Sequence, residues 1–525
     1  MTSRKKRAEK ARAARRSETN RRILVAAGFI AVFGSFLLLA NYYLDVGRMS
    51  ADEGFYAVAS RNVMQGEIPY RDFAYTQMPL LPYINGAAMS LFGWEMDTQR
   101  AINVFWALVG IVAIVLTLRH RLESWEPALL AAFTVAASPY WCEFQAMGKT
   151  YGAAGMFLAL ATCAMLMRWP LYHRTALVAL FGTLATGCRL SLAPVVAIYV
   201  IALIIEAKES RRRAIVLALS AAIGCLLLLP FFLLSPGNMI FMVYEYHTAS
   251  VFMRRGVKLL VEWWRMGPAA IILLAAGFTA AAHLLRKRMW PEMALLLGSL
   301  VGIILPVLPK SAYGNYIQPV LLPAAAAGAI ALWSTGIAQK KPVRHVIWLL
   351  PLLVLLHPLP RTFDRLPDNG EKVAAIAAYA GDALLFRSDR DKPRTSGAIM
   401  SLASHLEAEV PQGPILTPVP IVATEAGREI MPGTDMGMFT VMASGEEERA
   451  ARLNLVTIDG LAGMLDRREP AAVVLRSGTS PWNFMWQTPS LRRHPREHYN
   501  RFLRALRANY REAHRAGPYT LLVRN

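Results

Sequence analysis

The sequence predicts a polytopic α-helical membrane protein of about eleven transmembrane helices, followed by a C-terminal soluble α/β domain. Three observations carry that reading. Of the 525 residues, 55% are hydrophobic and only 18% are charged, against roughly 45–50% and 25% in soluble domains. Apolar runs, most of them long enough to cross a bilayer, recur as far as residue 358. Beyond Leu359 charge rises and the apolar runs shorten to strand length.

The elements follow in order. Residues 1–22 form a basic arm carrying Arg4, Lys5, Lys6, Arg7, Lys10, Arg12, Arg15, Arg16, Arg21 and Arg22, suited to the cytoplasm and to anionic lipid headgroups. A first span runs from Ile23 to about Tyr43 with no small-residue cleavage site after it, so it reads as a retained helix. Residues 44–97 form a polar, structured loop with a helix over about 51–64, a stop at Gly66, and a second apolar helix opening at Gln77-Met78-Pro79-Leu80-Leu81-Pro82-Tyr83. Both helices are expected in the interface plane.

Further spans are expected at about 99–118, 126–142, 150–169, 175–188, 192–206, 214–234, 267–285, 291–308, 319–337 and 345–358. Gly187, Arg189 and Pro194 divide 175–206 into a short hairpin of two crossings. With the N-terminus inside, the inner loops carry Arg119 and Arg121; Arg168 and Arg174; Lys208, Arg211, Arg212 and Arg213; Arg286, Lys287 and Arg288; and Lys340, Lys341 and Arg344. All are basic, which supports an N-terminus in the cytoplasm and a C-terminal domain outside it. The same clustering explains the net charge of +21 without a nucleic-acid partner. The partners expected instead are membrane lipids.

The region 359–525 is expected to be an extracytoplasmic α/β domain. Its strand-like runs are Pro414-Ile415-Leu416-Thr417, Ala471-Ala472-Val473-Val474-Leu475 and Tyr519-Thr520-Leu521-Leu522-Val523, with helical patterns between them such as Tyr499 to Arg515. It holds no GxGxxG, P-loop or zinc spacing. The four cysteines, Cys142, Cys163, Cys188 and Cys225, lie in or beside apolar runs without a CxxC pair, which argues against a disulfide framework.

Chemistry concentrates in Ser50-Ala51-Asp52-Glu53-Gly54-Phe55-Tyr56, just after the first span. Ser50-x-x-Glu53 fits a capping box. That accounts for Ser50 and Glu53 and leaves Asp52 as a candidate general base at the outer membrane face. Tyr56 lies one turn on, on the same face. Three cationic stretches fall on the same side: Lys149-Thr150-Tyr151 at the fourth span, Arg189 at the hairpin tip, and Lys310 to Tyr316 before the tenth span. Cations on the outer rim suit a lipid phosphate. Glu245 and His247 are too few to define a metal site, so no metal ligand set is assigned and a divalent metal stays open as a cofactor.

These residues resemble the GT-C membrane glycosyltransferases, in the branch that uses polyprenyl-phosphate sugars: the lipid A aminoarabinose transferases, the protein O-mannosyltransferases and the rhizobial lipopolysaccharide-core transferases. The resemblance runs from about residue 20 to 358. It rests on Asp52-Glu53-Gly54-Phe55-Tyr56, on Arg61-Asn62-Val63-Met64-Gln65-Gly66, and on Pro79-Leu80-Leu81-Pro82-Tyr83. It implies that Asp52 corresponds to the catalytic aspartate and that the sugar arrives on a polyprenyl phosphate. It also implies that Lys310 and Tyr316, before Pro319 and Pro323, lie near the lipid phosphate. Gln77 and Met78 depart from the family's usual Lys-Pro, and Lys149 stands where relatives often carry a second acid.

The expectation is an inverting glycosyltransferase of the bacterial inner membrane that moves a sugar to an unidentified envelope acceptor (lipid, glycan or protein). Asp52 is its base, with Glu53 and Tyr56 in support and Lys310, Arg189, Lys149 and Tyr316 binding the donor phosphate. The rival readings are a lipid or polysaccharide transporter and a non-catalytic envelope-assembly protein. A transporter predicts mid-membrane charges and internal repeats, whereas the charges here sit at span ends.

Overall fold

The computed structural model describes residues 18–46, 50–248, 267–307, 314–340, parts of 347–354, 395–442, 444–476 and 496–525. Every predicted span before residue 340 is helical. In chain order these are α1 (Glu18–Leu44), the loop helices α2 (Ala51–Met64) and α3 (Leu80–Phe92), α4 (Met96–Leu122), α5 (Trp125–Ala136), α6 (Pro139–Gln145), α7 (Tyr151–Leu166), α8 (Leu171–Cys188), α9 (Ala193–Glu206), α10 (Ser210–Leu234), α11 (Pro268–Arg286), α12 (Trp290–Ile304) and α13 (Leu321–Ser334). The last predicted span, 345–358, falls largely outside the described residues.

The bundle sorts its apolar residues by what they face. α13 is buried along nearly its whole length and packs on α11, α12, α5 and α4. α10 buries only Val216 among its 25 residues. Leu226, Leu233 and Leu217 on α10 are exposed, as are Leu24 and Ile30 on α1. Such surfaces are stable only in hydrocarbon, so this is a multi-pass membrane protein. The expected third span over 126–142 is corrected: α5 ends at Ala136, and Ser138-Pro139 starts the separate helix α6. Proline is favoured at a first helical position because its missing N–H is not needed there.

The hairpin at 175–206 is two helices. α8 and α9 meet through a short 3-10 turn at Leu190–Leu192. Their far ends are tied by Arg174 Nη1 to Glu206 Oε1 at 2.6 Å, so the two helices run antiparallel. Arg119 and Arg121 lie at the C-terminal end of the 27-residue helix α4, with Arg121 paired to Glu292 of α12. At about 1.5 Å rise per residue, α4 separates them from its own N-terminus by roughly 40 Å.

The C-terminal part builds a four-stranded sheet in the order β1-β4-β6-β5, from β1 (Ile415–Leu416), β4 (Ala472–Arg476), β5 (Tyr510–Ala516) and β6 (Tyr519–Arg524). β1 and β4 are parallel, and the β4–β6 and β5–β6 pairs are antiparallel. A second pair, β2 (Val441–Met442) and β3 (Val456–Thr457), is parallel. The helical reading of Tyr499 to Arg515 is corrected: the helix is Arg496–Asn509, and Tyr510–Ala516 turns into a strand. Pairing with β6 overrides the local preference of Tyr510-Arg511-Glu512-Ala513-His514-Arg515.

This sheet shares its core with the membrane-face loop. Ala57 and Val58 of α2 and Met89 of α3 cluster with Ile399, Leu402, Leu406, Ile421 and Val422. Gly54 makes the contact possible. A Cβ there would sit 2.4 Å from the backbone nitrogen of Ile421 and 3.1 Å from the carbonyl carbon of Pro420, so no larger residue fits without separating the two layers. Asn62 Nδ2 donates to Asp435 Oδ1 at 3.1 Å. The backbone N–H of Met96 donates to the Glu425 carboxylate.

Candidate active site

The predicted capping box forms at the start of α2. The Ser50 N–H donates to Glu53 Oε2 at 2.7 Å, and the Asp52 N–H donates to Ser50 Oγ at 3.3 Å. The next turn sends the two carboxylates in different directions. Glu53 is fully buried, whereas the Asp52 side chain is 32% exposed.

Glu53 is more than a cap. Its oxygens accept from Arg100 Nε at 2.8 Å, from Arg100 Nη2 at 3.0 Å and from the N–H of Gly148 at 2.9 Å. Gln99 Nε2 donates to the carbonyls of Glu53, at 3.2 Å, and Gly148, at 3.0 Å. A Cβ on Gly148 would lie 2.5 Å from Gln99 Cδ, so only glycine allows that approach. The loop between α6 and α7 is thereby fixed to α2. Lys149, the next residue, places Nζ 2.7 Å from Asp52 Oδ2. Burial is the largest influence and opposes its charge, but Asp52, Tyr151 and Glu53 together outweigh it and hold the ammonium pKa above the usual lysine value.

The same loop reaches Arg189 at the α8–α9 tip. Arg189 Nη1 donates to Thr150 Oγ1 at 3.1 Å. Its guanidinium carbon lies 5.0 Å from the ring centre of Tyr151 and 4.5 Å from that of Tyr316, a cation–π arrangement that fixes the plane. The guanidinium is buried, yet among the described residues its Nε–H has no hydrogen-bond partner. An unpaired buried donor on a charged group is costly, and a bound anion would relieve that cost.

Tyr56 is buried against this cluster. Burial first, and then the charge of Asp52, push its phenol well above the ordinary value, so it stays a hydrogen-bond donor. Arg189, Tyr151 and Tyr316 are within electrostatic reach of it. The opposite wall comes from 236–248. Tyr246 donates to the Phe439 carbonyl at 3.0 Å, and His247 Nε2 lies 2.6 Å from the Thr76 carbonyl. Both residues feel Asp52.

The structure thus brings together Asp52, Tyr56, Lys149, Arg189 and Tyr316. Glu53 sits behind them as a clamp. Lys310 lies outside the described residues. Gln77, at the position where the family's lysine is usual, presents its carbonyl to the Tyr70 hydroxyl at 2.5 Å. Gln99, Arg100 and Gly148 escaped the sequence reading. The signal available for two of them was a Gln-Arg pair at the mouth of an apolar span, where an ionisable residue requires a partner. Among the described residues, no group of three or more His, Cys, Asp or Glu side chains is placed to hold a metal.

The helical membrane bundle, with a two-helix loop after its first span and a mixed α/β unit seated on that loop, has the GT-C fold, as its likeness to solved structures shows. No family model matches the sequence, and no curated protein does. Among solved structures, the chain is similar to ArnT from Cupriavidus metallidurans bound to undecaprenyl phosphate, with a TM-score of 0.60 and 16% identity over 96% of this chain and 98% of that one. The apo form of that ArnT gives a TM-score of 0.58 at 16% identity, covering 95% and 98%. The apo oligosaccharyltransferase from Archaeoglobus fulgidus gives 0.50 at 12% identity, covering 89% of this chain and 72% of that one. At these identities the likeness is one of fold.

Proposed function

We propose that this protein is an inverting membrane glycosyltransferase that moves a sugar from a polyprenyl-phosphate donor to an envelope acceptor on the extracytoplasmic side of the bacterial inner membrane. The observation that carries the reading is the convergence at one end of the bundle. There Asp52, paired with Lys149 and 32% exposed, and the buried guanidinium of Arg189, whose Nε–H has no partner among the described residues, both act on the buried Tyr56.

Each group has a task in that reaction. Asp52 takes the proton from the acceptor hydroxyl or amine. The acceptor atom forms a bond to the anomeric carbon as the bond from that carbon to the phosphate oxygen breaks. The electron pair leaves with the polyprenyl phosphate, and the configuration inverts. Arg189 and the Tyr56 hydroxyl stabilise the charge that develops on the phosphate. Tyr151 and Tyr316 hold the guanidinium plane. Lys149 keeps Asp52 oriented and adds positive charge to the same space. Lys310 belongs to the proposal on its sequence position alone.

The orientation follows from charge. The site lies at the α4 and α8 ends opposite Arg119, Arg121 and Arg174. If those basic ends are cytoplasmic, the site and the 395–525 region are outside. The ArnT likeness supports a lipid-phosphate donor, since that protein is described bound to undecaprenyl phosphate. The test is transfer of radiolabelled sugar from polyprenyl-phosphate donors by the purified protein. A panel of such donors that yields no transfer and no hydrolysis would reject the reading.

A further inference from the structure

We infer that Lys149 is the resident cation of this site, standing against Asp52 where a divalent metal would otherwise bind, so that the transfer runs on side-chain charge. The inference rests on the transferase reading above. A reaction that expels a phosphate needs positive charge at the leaving group, and either a metal ion or preorganised side chains can supply it. An exposed aspartate beside a phosphate site is the ordinary ligand for a hard divalent cation.

Among the described residues, the donor set around Asp52 does not fit one. Its Oδ2 is held by the Lys149 ammonium at 2.7 Å. A Mg²⁺ on that oxygen, at about 2.0–2.1 Å, would face a second positive charge a few ångströms away. Glu53, the adjacent carboxylate, cannot serve as a second ligand. It is fully buried and already accepts from Ser50, Gly148 and both donors of Arg100. His247 has its Nε2 on the Thr76 carbonyl, and no second carboxylate or histidine completes a group of three with it among the described residues.

Lys149 projects from a fixed backbone, and its side chain is only 11% exposed. Its backbone is held by the Gly148 contacts to Glu53 and Gln99 on one side. On the other side Thr150 accepts from Arg189. One short loop therefore places one cation, Lys149, on the carboxylate and, through Thr150, holds a second, Arg189, whose guanidinium lies over the rings of Tyr151 and Tyr316.

The experiment uses the full-length protein in detergent, with Mn²⁺ titrations followed by electron paramagnetic resonance and transfer assays after chelation. Metal-stripped wild type is expected to retain transfer within about twofold and to show no Asp52-dependent Mn²⁺ site up to about 1 mM, the weak end of protein sites for hard cations. Lys149→Asp is expected to gain one Mn²⁺ site at least tenfold tighter, lost again when Asp52→Asn is added. Lys149→Asn, which leaves a neutral oxygen ligand, provides the same comparison should the charge reversal prevent folding. The inference is overturned by a wild-type Mn²⁺ site that Asp52→Asn removes. It is equally overturned by activity that chelation abolishes and Mg²⁺ or Mn²⁺ restores, or by folded Lys149 variants that bind no more Mn²⁺ than wild type. The Mn²⁺ titration does not depend on turnover, so a protein without transferase activity rejects the functional proposal while this measurement still decides the role of Lys149.

Discussion

Glu53 and Arg100 form a bidentate ion pair from which water is excluded, with side chains 0% and 1% exposed. The pair joins the first loop helix to the second membrane span, and through Gly148 it fixes the loop that carries Lys149. Removing one partner leaves the other charge buried and uncompensated, at a cost of about 3–5 kcal/mol. Arg100→Leu is therefore expected to lower the unfolding temperature in detergent severely. The double variant Glu53→Met/Arg100→Met is expected to recover only part of that loss, because the apolar pair removes the uncompensated charge but leaves the Ser50 and Gly148 N–H groups without their acceptor. Equal stability of Arg100→Leu and wild type in a thermal melt contradicts the clamp.

Asp52 has one oxygen on Lys149 and an open face, and its removal tests the proposed base. Asp52→Asn keeps the size and helix position, and Ser50 and Glu53 still cap α2. Loss of a general base slows turnover by about 10²–10⁴-fold. The expected result is a fall of that size in kcat with retained binding of polyprenyl phosphate, and a melting temperature lowered only by the loss of the Lys149 partner. Full turnover by Asp52→Asn rejects its role.

How much of this was legible in advance follows the range of each interaction. The capping box at Ser50 and Glu53 is local, and the spacing S-x-x-E carries it. The helical hairpin at Arg189 was readable from Gly187 and Pro194. The clamp was not, because it joins residue 53 to residues 99, 100 and 148 across three elements. Nothing in the pattern near Gly148 announces that its hydrogen would face the Gln99 amide. The role of Gly54 appears only once Ile421 is laid across it. β5 was misread for the same reason: its strand form is imposed by β6.

The contact at Gly54 predicts a coupling between the α2 helix and the C-terminal sheet. Gly54→Ala places a methyl group 2.4 Å from a backbone nitrogen that cannot rotate away. Overpacking of this kind costs about 1–3 kcal/mol. Hydrogen exchange in β1 and in Ile421–Glu425 is expected to speed up, with transfer reduced, while exchange in α13 stays at the wild-type rate. Unchanged protection around Ile421 counts against the contact.

His247 gives the site an acid limit. Burial is the main cause that pushes its pKa below the ordinary 6.5, and Arg189 adds to it. The folded protein thus resists protonating a group that the unfolded chain protonates at about pH 6.5. Between the depressed folded value and 6.5 the unfolded state binds more protons, so stability rises with pH. The contribution is complete above about pH 6.5 and is lost as pH falls through the folded value. His247→Asn, which keeps a donor for the Thr76 carbonyl, is expected to flatten the decline in melting temperature between about pH 6.5 and 5. A variant whose melting temperature falls as steeply as wild type over that window assigns the acid sensitivity elsewhere.

Arg189 separates the demands of shape from those of charge. Lysine in its place keeps the positive charge but loses the flat face over the rings of Tyr151 and Tyr316 and the Nε–H that has no partner among the described residues. Planar, multidentate recognition of phosphate is where arginine and lysine differ most. A charge-assisted hydrogen bond of this type contributes about 1.5–3 kcal/mol, equal to roughly 10–150-fold in affinity. Arg189→Lys is expected to weaken undecaprenyl phosphate binding by at least tenfold in a fluorescence or calorimetric titration, and Arg189→Met by more. The losses should shrink in high salt for neither variant, because the contact is buried rather than screened. Wild-type affinity in Arg189→Lys would mean that net charge alone draws the lipid phosphate to this end of the bundle, and that the stacked tyrosines serve the fold.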